Sequence, residues 1–496
     1  MLRLYPSFLL LPFFLSLISA TNDRSTATIP DNEDILNLEN SALEILKRID
    51  ILESELNSYD LSNRARLLTT NSTDSFSSGN TAWMLISTSR VLAMTLPGVA
   101  VFYGGLVRSR DLITAMMHIF TITCLITMVW VCFGYSLAFS PVIQQDEKNV
   151  EEYGDGHRLF LQGMTLGSHH QMAATIPESI FCAYELVFAI ITASFLTGSY
   201  AGRMRYLPMM AFMVLWLLVV YCPIAHAVWH PDGFLKKANI IDTAGGLVVH
   251  TTSGWSGLAS CLVLGVRKEL GTDRYMASNI LYTFVGIAFC WVGWFSFNGA
   301  AVYSAEDRSS NAVLMTQISA AAASITWGLL MYLNGQKPSV LGFIFGACAG
   351  LISITPGGSF VDHTGAFFIG IIGSLACFYG CKLKAVLKFD DALDNFGLHA
   401  VGGGIGILAT SFFARETICH DSKFQGIFYS GENHGGHVFA IQLYGLVVVA
   451  AWSFFASYVL LWLLDYAVGL RVSAVEEEIG LDKSWSFASF SERFVE

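Results

Sequence analysis

The chain has 496 residues, 53% of them hydrophobic and 14% charged, with a formal net charge of -11. Its mean hydropathy of +0.53 is far above that of ordinary soluble domains, so a membrane protein is the starting expectation. The acidic balance speaks against nucleic acid as a partner. The ten cysteines mostly fall inside apolar runs with no CxxC or Cys/His metal spacing, so they read as small buried fillers.

Residues 1–20, with Arg3, a short apolar run containing Pro12 and a small residue at Ala20, have the pattern of a cleaved signal peptide. Residues 21–81 would then be extracellular. Within them, residues 33–60 place Ile35, Leu38, Ala42, Ile45, Ile49, Leu52, Leu56 and Tyr59 on alternating steps of three and four. That spacing is the seam of a coiled coil, and it equally fits one amphipathic helix lying on the main body. Asn71 begins a glycosylation sequon, and the Ser/Thr/Asn-rich run from Thr69 to Thr81 reads as a flexible link.

From Trp83 onward eleven apolar spans are expected, near 83–106, 112–138, 177–200, 206–228, 243–266, 277–300, 312–333, 340–356, 364–384, 395–414 and 437–468. Loops on one side carry Arg108, Arg110, Arg203, Arg205, Arg267 and Lys268. Those on the other side hold acids such as Asp146, Glu147, Glu151 and Glu152. The positive-inside rule puts the N-terminus outside, in agreement with the signal peptide, and the C-terminus in the cytoplasm. The expected domains are therefore a signal peptide (1–20), an extracellular segment (21–81), a membrane domain (82–470) and a cytoplasmic tail (471–496).

Two stretches organise the membrane part. DTAGGLVVHTTSGWSGLA (242–259) and DNFGLHAVGGGIGILATSFF (394–413) each have a leading aspartate, an internal histidine and clustered glycines. They are spans five and ten, so spans one to five and six to ten read as inverted halves, with the eleventh bracing the outside. An ionisable residue inside a span is costly unless it faces a bundle interior or cavity. His250 and His399, at matching places in the two halves, are therefore the leading functional residues, able to donate, accept and pass protons. No third ligand at sensible spacing points to a metal, and neither a nucleophile nor a metal cluster supports an intramembrane enzyme. Asp242 reads as a helix cap that also biases its surroundings toward cations. Phe188, Phe297 and Trp229 lie in the outer halves or ends of their spans, where aromatics serve as interfacial belts or hold a small cation against a ring face.

FYGGLV (102–107), AGRMRY (201–206), PIAHAVW (223–229), DTAGGLVVH, GWFSFN (293–298), KPSVLG (337–342), FGLHAVGG (396–403) and VGLRV (468–472) occur in the order seen in the Amt/Mep/Rh ammonium transporters. The resemblance covers residues 82 to 482 and is nearer the Amt/Mep branch. It implies a homotrimer in the plasma membrane, each subunit with its own narrow apolar pore for ammonium or ammonia, and no cofactor. By position His250 and His399 match the twin pore histidines, Phe188 and Phe297 the stacked gate, Trp229 the outer cation-recruiting tryptophan, and Asp242 the aspartate that supports that site. The implied mechanism is capture of ammonium, deprotonation and passage of ammonia, with or without separate proton transfer. The alternative is a sensor that binds ammonium with little flux.

Three positions depart from the family pattern. Ala301 replaces a serine, Glu185 stands where a glutamine is usual, beside Tyr184, and Arg90 lies inside the first span. An Arg90–Glu185 salt bridge is the expectation that joins two of these departures. The tail, RVSAVEEEIGLDKSW, resembles the family tail that packs under an adjacent subunit, and Ser484 and Ser486 are residues through which a cytoplasmic regulator would act.

Overall fold

The computed structural model describes residues 76–140, 158–268, 277–430 and 434–485. The expected signal peptide, heptad segment, Asn71 sequon and Ser486 lie outside the described residues. Among the described residues ten helices are long and apolar enough to cross a bilayer. They are α1 (Ser78–Leu106), α2 (Leu112–Phe139), α3 (Glu178–Tyr200), α4 (Tyr206–Lys237), α5 (Gly246–Leu264), α6 (Ile280–Val302), α7 (Asp307–Leu333), α9 (His363–Leu387), α10 (Phe396–Phe413) and α11 (Gly435–Val468). Between α7 and α9 runs α8 (Val340–Ile354), an apolar helix of 15 residues, about 22 Å long at 1.5 Å per residue. Among the described residues there is no strand beyond two isolated bridges, Met204 with Arg471 and Val361 with Ala414.

The helix boundaries follow local chemistry. α1 begins earlier than hydropathy suggests because Ser77 Oγ accepts the Asn80 N–H at 3.3 Å. The Asn80 side chain then ties this end to Thr175 and to the Ala305 N–H. Asn279, Ser339 and Asp362 cap α6, α8 and α9 through their side-chain oxygens, each satisfying N–H groups that a helix start leaves orphaned. α4 outruns its expected end at residue 228, breaking after Trp229 and resuming over Phe234–Lys237. Pro97 sits in a π-turn of α1, Met94–Val99, where the wider turn absorbs the missing N–H.

Burial is inverted relative to a water-soluble bundle. α3 is enclosed along almost its whole length. α6 and α11 expose large apolar side chains such as Leu281, Phe284, Phe455, Trp462 and Tyr466. Such surfaces suit lipid or a second apolar surface, as in a multi-pass membrane protein.

The end of the bundle that carries the basic loops is held by buried charge. Asp390, before α10, accepts the Arg267 backbone N–H at 2.9 Å and the Arg267 guanidinium, and Arg203 Nη1 lies 3.4 Å from the same carboxylate. Arg203 also donates to the carbonyls of Ser199 and Gly265. This cluster joins the α3–α4, α5 and α9–α10 corners. Burial alone would raise the Asp390 carboxyl, but the Arg267 hydrogen bonds and the two guanidinium charges hold it below the usual carboxylate value.

The tail docks on the same end, against its own chain. It forms α12 (Ala474–Ile479) and α13 (Leu481–Ser484). The Asp482 carboxylate accepts the N–H groups of Ile113 and Thr114 and the Thr114 hydroxyl, at 3.0, 2.7 and 2.6 Å. A residue 368 positions downstream of Thr114 thus caps the start of α2. Trp485 packs its ring 5.8 Å from that of His118.

Asp390→Ala leaves two buried guanidiniums without their carboxylate, so a loss of about 3–5 kcal/mol is expected, read as a lower melting temperature in detergent. Asp390 is held below its unfolded value of about 3.9, so its contribution is present above that pH and is lost as pH falls through the folded value. The gap between wild type and Asp390→Asn is accordingly expected to stay constant above about pH 5 and to shrink below about pH 4.

Candidate functional site

The site is built where α5 and α10 begin. Asp242, in the loop before α5, accepts four successive N–H groups, from Gly245, Gly246, Leu247 and Val248, at 3.0, 2.6, 2.8 and 3.2 Å. Gly245 has φ +102°, a left-handed conformation that glycine adopts without a Cβ penalty and that folds the N–H groups onto the carboxylate. The capping role expected of Asp242 is thus met with all four orphan donors of the helix start. Asp394 does not do the same for α10. Asp391 accepts the Phe396 N–H at 2.7 Å, while Asp394 pairs with Lys384 at 2.7 Å.

Both helices open with a π-turn, Gly246–Thr251 and Phe396–Ala400, and each turn carries one histidine. The two Nδ1 atoms lie 3.0 Å apart. That contact requires one imidazole to present an N–H and the other a lone pair, so the two rings act as one unit. His250 Nε2 is buried without a protein partner.

Two glycines permit this approach. Gly254 and Gly403 each stand four residues after a histidine. A Cβ on Gly254 would collide with the backbone of Ala400, next to His399. One on Gly403 would lie 2.9 Å from His250 Cβ and 3.1 Å from the Thr251 nitrogen. The contacts are reciprocal: each glycine receives the turn holding the other histidine.

Aromatic rings continue the column away from the histidines. Trp294 stacks on His250 at 5.5 Å, and Phe195 lies 4.1 Å from His399. Phe297 is 6.2 Å from His250 and stacks on Phe188 at 4.2 Å and 14°. Trp229 meets Phe188 edge-on at 5.8 Å, and its indole N–H donates to the Asp242 carbonyl at 2.8 Å. The backbone and carboxylate of one aspartate therefore fix both Trp229 and the start of the histidine helix. All six residues singled out in the sequence come together here.

Trp294 and Phe195 were not foreseen. Phe195 follows Phe188 by seven residues, which puts both on one helical face, and that spacing was the available signal. Trp294 had none beyond its place in the GWFSFN run.

The three departures fall differently. Ala301 is buried in the last turn of α6. Glu185 is buried on α3 and accepts the Tyr303 hydroxyl at 2.8 Å, while Tyr184 donates to the carbonyls of Ser296 and Phe297 at 3.0 and 2.9 Å. Arg90 is exposed on α1, and among the described residues no ion pair joins it to Glu185. The expected salt bridge is overturned: the glutamate faces the seam between α3 and α6, whereas the arginine lies on the outer surface. Among the described residues no group of three or more His, Cys, Asp or Glu side chains could hold a metal. Cys182 and Cys419 are both unpaired.

The model of the Ammonium Transporter Family matches residues 82–486, a span that contains every residue of the column. The chain belongs to the ammonium transporter family. It is 37% identical over 420 residues to ammonium transporter 1 of Schizosaccharomyces pombe, covering 84% of this chain and 83% of that one. Identity to the ammonium transporter of Bacillus subtilis is 36% over 405 residues, covering 82% and 96%. Among solved structures, Saccharomyces cerevisiae Mep2 superposes with a TM-score of 0.72 at 31% identity, covering 82% of this chain and 90% of Mep2. A structure described as a sensor Amt protein superposes at 0.71 with 25% identity, covering 82% and 97%. This member of the family is a membrane transporter rather than an enzyme.

Asp242→Ala removes the acceptor of four buried N–H groups, each costing about 1–3 kcal/mol when orphaned. It is expected to lower thermal stability by at least about 3 kcal/mol. Asp242→Asn, which keeps one carbonyl acceptor, should fall between it and the wild type in the same detergent melt.

Proposed function

We propose that the chain transports ammonium, capturing the ion at the outer aromatic site and conducting ammonia past the paired histidines. The observation that carries this reading is the imidazole pair, bonded at 3.0 Å, lying beneath the closed Phe188–Phe297 stack. A ring face of Trp229 attracts a small cation, and the Asp242 carboxylate adds negative charge beside it. Beyond the stack the lining is aromatic and imidazole, and carrying a bare cation into such surroundings costs at least several kcal/mol. A neutral molecule that can donate and accept hydrogen bonds passes at far lower cost, which separates ammonia from potassium. Phe188 and Phe297 then act as the gate and His250 and His399 as the polar track of the pore.

Counting α8 as a short crossing gives eleven spans. The reciprocal Gly254 and Gly403 contacts support inverted halves of five spans each, with α11 outside them. The N-terminus then faces the exterior of the plasma membrane and the tail the cytoplasm. The exposed apolar faces suit a homotrimer surrounded by lipid.

The test is growth on limiting ammonium of a cell lacking its own uptake system. The wild type should rescue growth and deplete ammonium saturably. His250→Ala and Phe188→Ala, checked for membrane level, should each lower uptake at least tenfold. Binding of ammonium by purified protein without any uptake would favour the sensor reading, toward which the likeness to a sensor Amt structure points.

A further inference from the structure

α3 buries two glutamates two turns apart, and they are provided for differently. Glu178 is met by the Arg158 guanidinium through both carboxylate oxygens, at 2.9 and 3.1 Å, and by the Tyr135 hydroxyl at 3.1 Å. Glu185, 2% exposed, has a single partner, the Tyr303 hydroxyl on Oε1. Its Oε2 is buried and without a hydrogen-bond partner, and no cation pairs with it among the described residues. A buried carboxylate left so is expensive unless a positive charge or a proton reaches it.

Its position says what could supply that charge. Glu185 stands three residues before Phe188, so both lie on one face of α3. Tyr303 follows Phe297 at the end of α6. The Glu185–Tyr303 hydrogen bond and the Phe188–Phe297 stack are therefore successive rungs between the same two helices, the glutamate rung on the side of the helix ends at Glu178 and Val302. The Tyr184 hydroxyl, bonded to the Phe297 carbonyl, ties the two rungs together.

We propose that Glu185 accepts the proton that ammonium gives up at the gate, with Tyr303 holding its other oxygen in place. This assignment rests on the transport reading above and adds a proton-accepting residue to it. In the step, one N–H bond of ammonium breaks and its electron pair remains on nitrogen, leaving ammonia. The proton forms an O–H bond at Oε2, and the carboxylate becomes a neutral acid. Ammonia passes the Phe188–Phe297 stack, and the acid returns its proton to water on the outer side. Neutral in one state and unpaired in the other, Glu185 fits a group that must release its proton in each cycle, which a carboxylate locked by arginine, such as Glu178, does not.

The titratable groups facing Glu185 from its neighbours are the phenols of Tyr184, Tyr221 and Tyr303 and the Cys182 thiol, with the Glu178–Arg158 pair two turns away along α3. His170, stacked on Phe181 at 4.3 Å, is one ring further out. Phenols and thiols ordinarily titrate above about pH 8, so an acid limb between pH 5 and 7.5 that disappears with Glu185 belongs to Glu185.

The experiment measures ammonium depletion by cells expressing wild type, Glu185→Gln or Tyr303→Phe, between pH 5 and 7.5, at matched membrane levels. Glutamine keeps an oxygen for the Tyr303 hydroxyl but cannot accept the proton. Wild-type uptake is expected to fall toward pH 5. Glu185→Gln should be at least tenfold slower at pH 7.5 and flat with pH, while Tyr303→Phe should keep the acid limb at reduced rate. Uptake by Glu185→Gln equal to wild type, with Tyr303→Phe inactive, would make the pair a structural rung and overturn the assignment. If Glu185→Gln fails to reach the membrane, Glu185→Asp takes its place: a displaced acid limb supports the proposal and an unchanged one overturns it. A wild type without saturable uptake would sink the transport reading itself, and that result is distinguishable from one in which only the variants behave unexpectedly.

Discussion

The pairing of the two histidines depends on two helices touching without side chains between them. Gly254 and Gly403 let α5 and α10 meet at backbone distance, and only that approach brings two imidazoles on separate helices to 3.0 Å. In a bilayer there is no hydrophobic drive to press helices together, so close van der Waals packing of small residues has to do it. The π-turns that open both helices rotate each histidine toward the other, a use of irregular backbone that recurs at functional sites. Asp242 makes that irregularity stable by taking four N–H groups that no carbonyl in the helix could reach.

The charged groups are segregated by task. At the end with the basic loops, Asp390 pairs with both Arg203 and Arg267, and Asp482 closes the start of α2. These contacts join corners far apart in sequence, so they hold the bundle without lining the column. Near the Phe188–Phe297 stack the arrangement differs. Glu185 keeps an oxygen without a partner, and His250 Nε2 is likewise unmet by protein. Buried polar atoms without partners also occur elsewhere among the described residues, Arg203 Nε and Asp391 Oδ1 included, while those of Glu185 and His250 flank the Phe188–Phe297 stack.

Much of the site could be read from the chain because its residues are chemically conspicuous. A histidine in an apolar span is expensive, and two of them behind glycine clusters mark a pair before any coordinates exist. The cap on α5 was equally legible, since an aspartate ahead of a Gly-Gly pair has donors to accept. The same local pattern precedes α10, yet the acceptor there is Asp391, five residues before the Phe396 N–H it takes, and Lys384 claims Asp394 instead. Arg90 and Glu185 misled. Both are charged residues inside spans, and no sequence period says that one faces outward and the other toward Tyr303.

The sequence by itself determined a multi-pass helical membrane protein, its approximate spans and the two histidines, each behind an aspartate and beside clustered glycines, because hydropathy, glycine clustering and buried charge are local properties of the chain. Phe188, Phe297 and Trp229 were marked only by the family resemblance. Tertiary structure decided which surfaces meet. Trp294 over His250, Phe195 over His399, Tyr303 on Glu185 and Asp482 at the start of α2 all join segments whose separation carries no periodic signal. Their partners are chosen by how the helices cross, and crossing is settled by close packing among all of them at once.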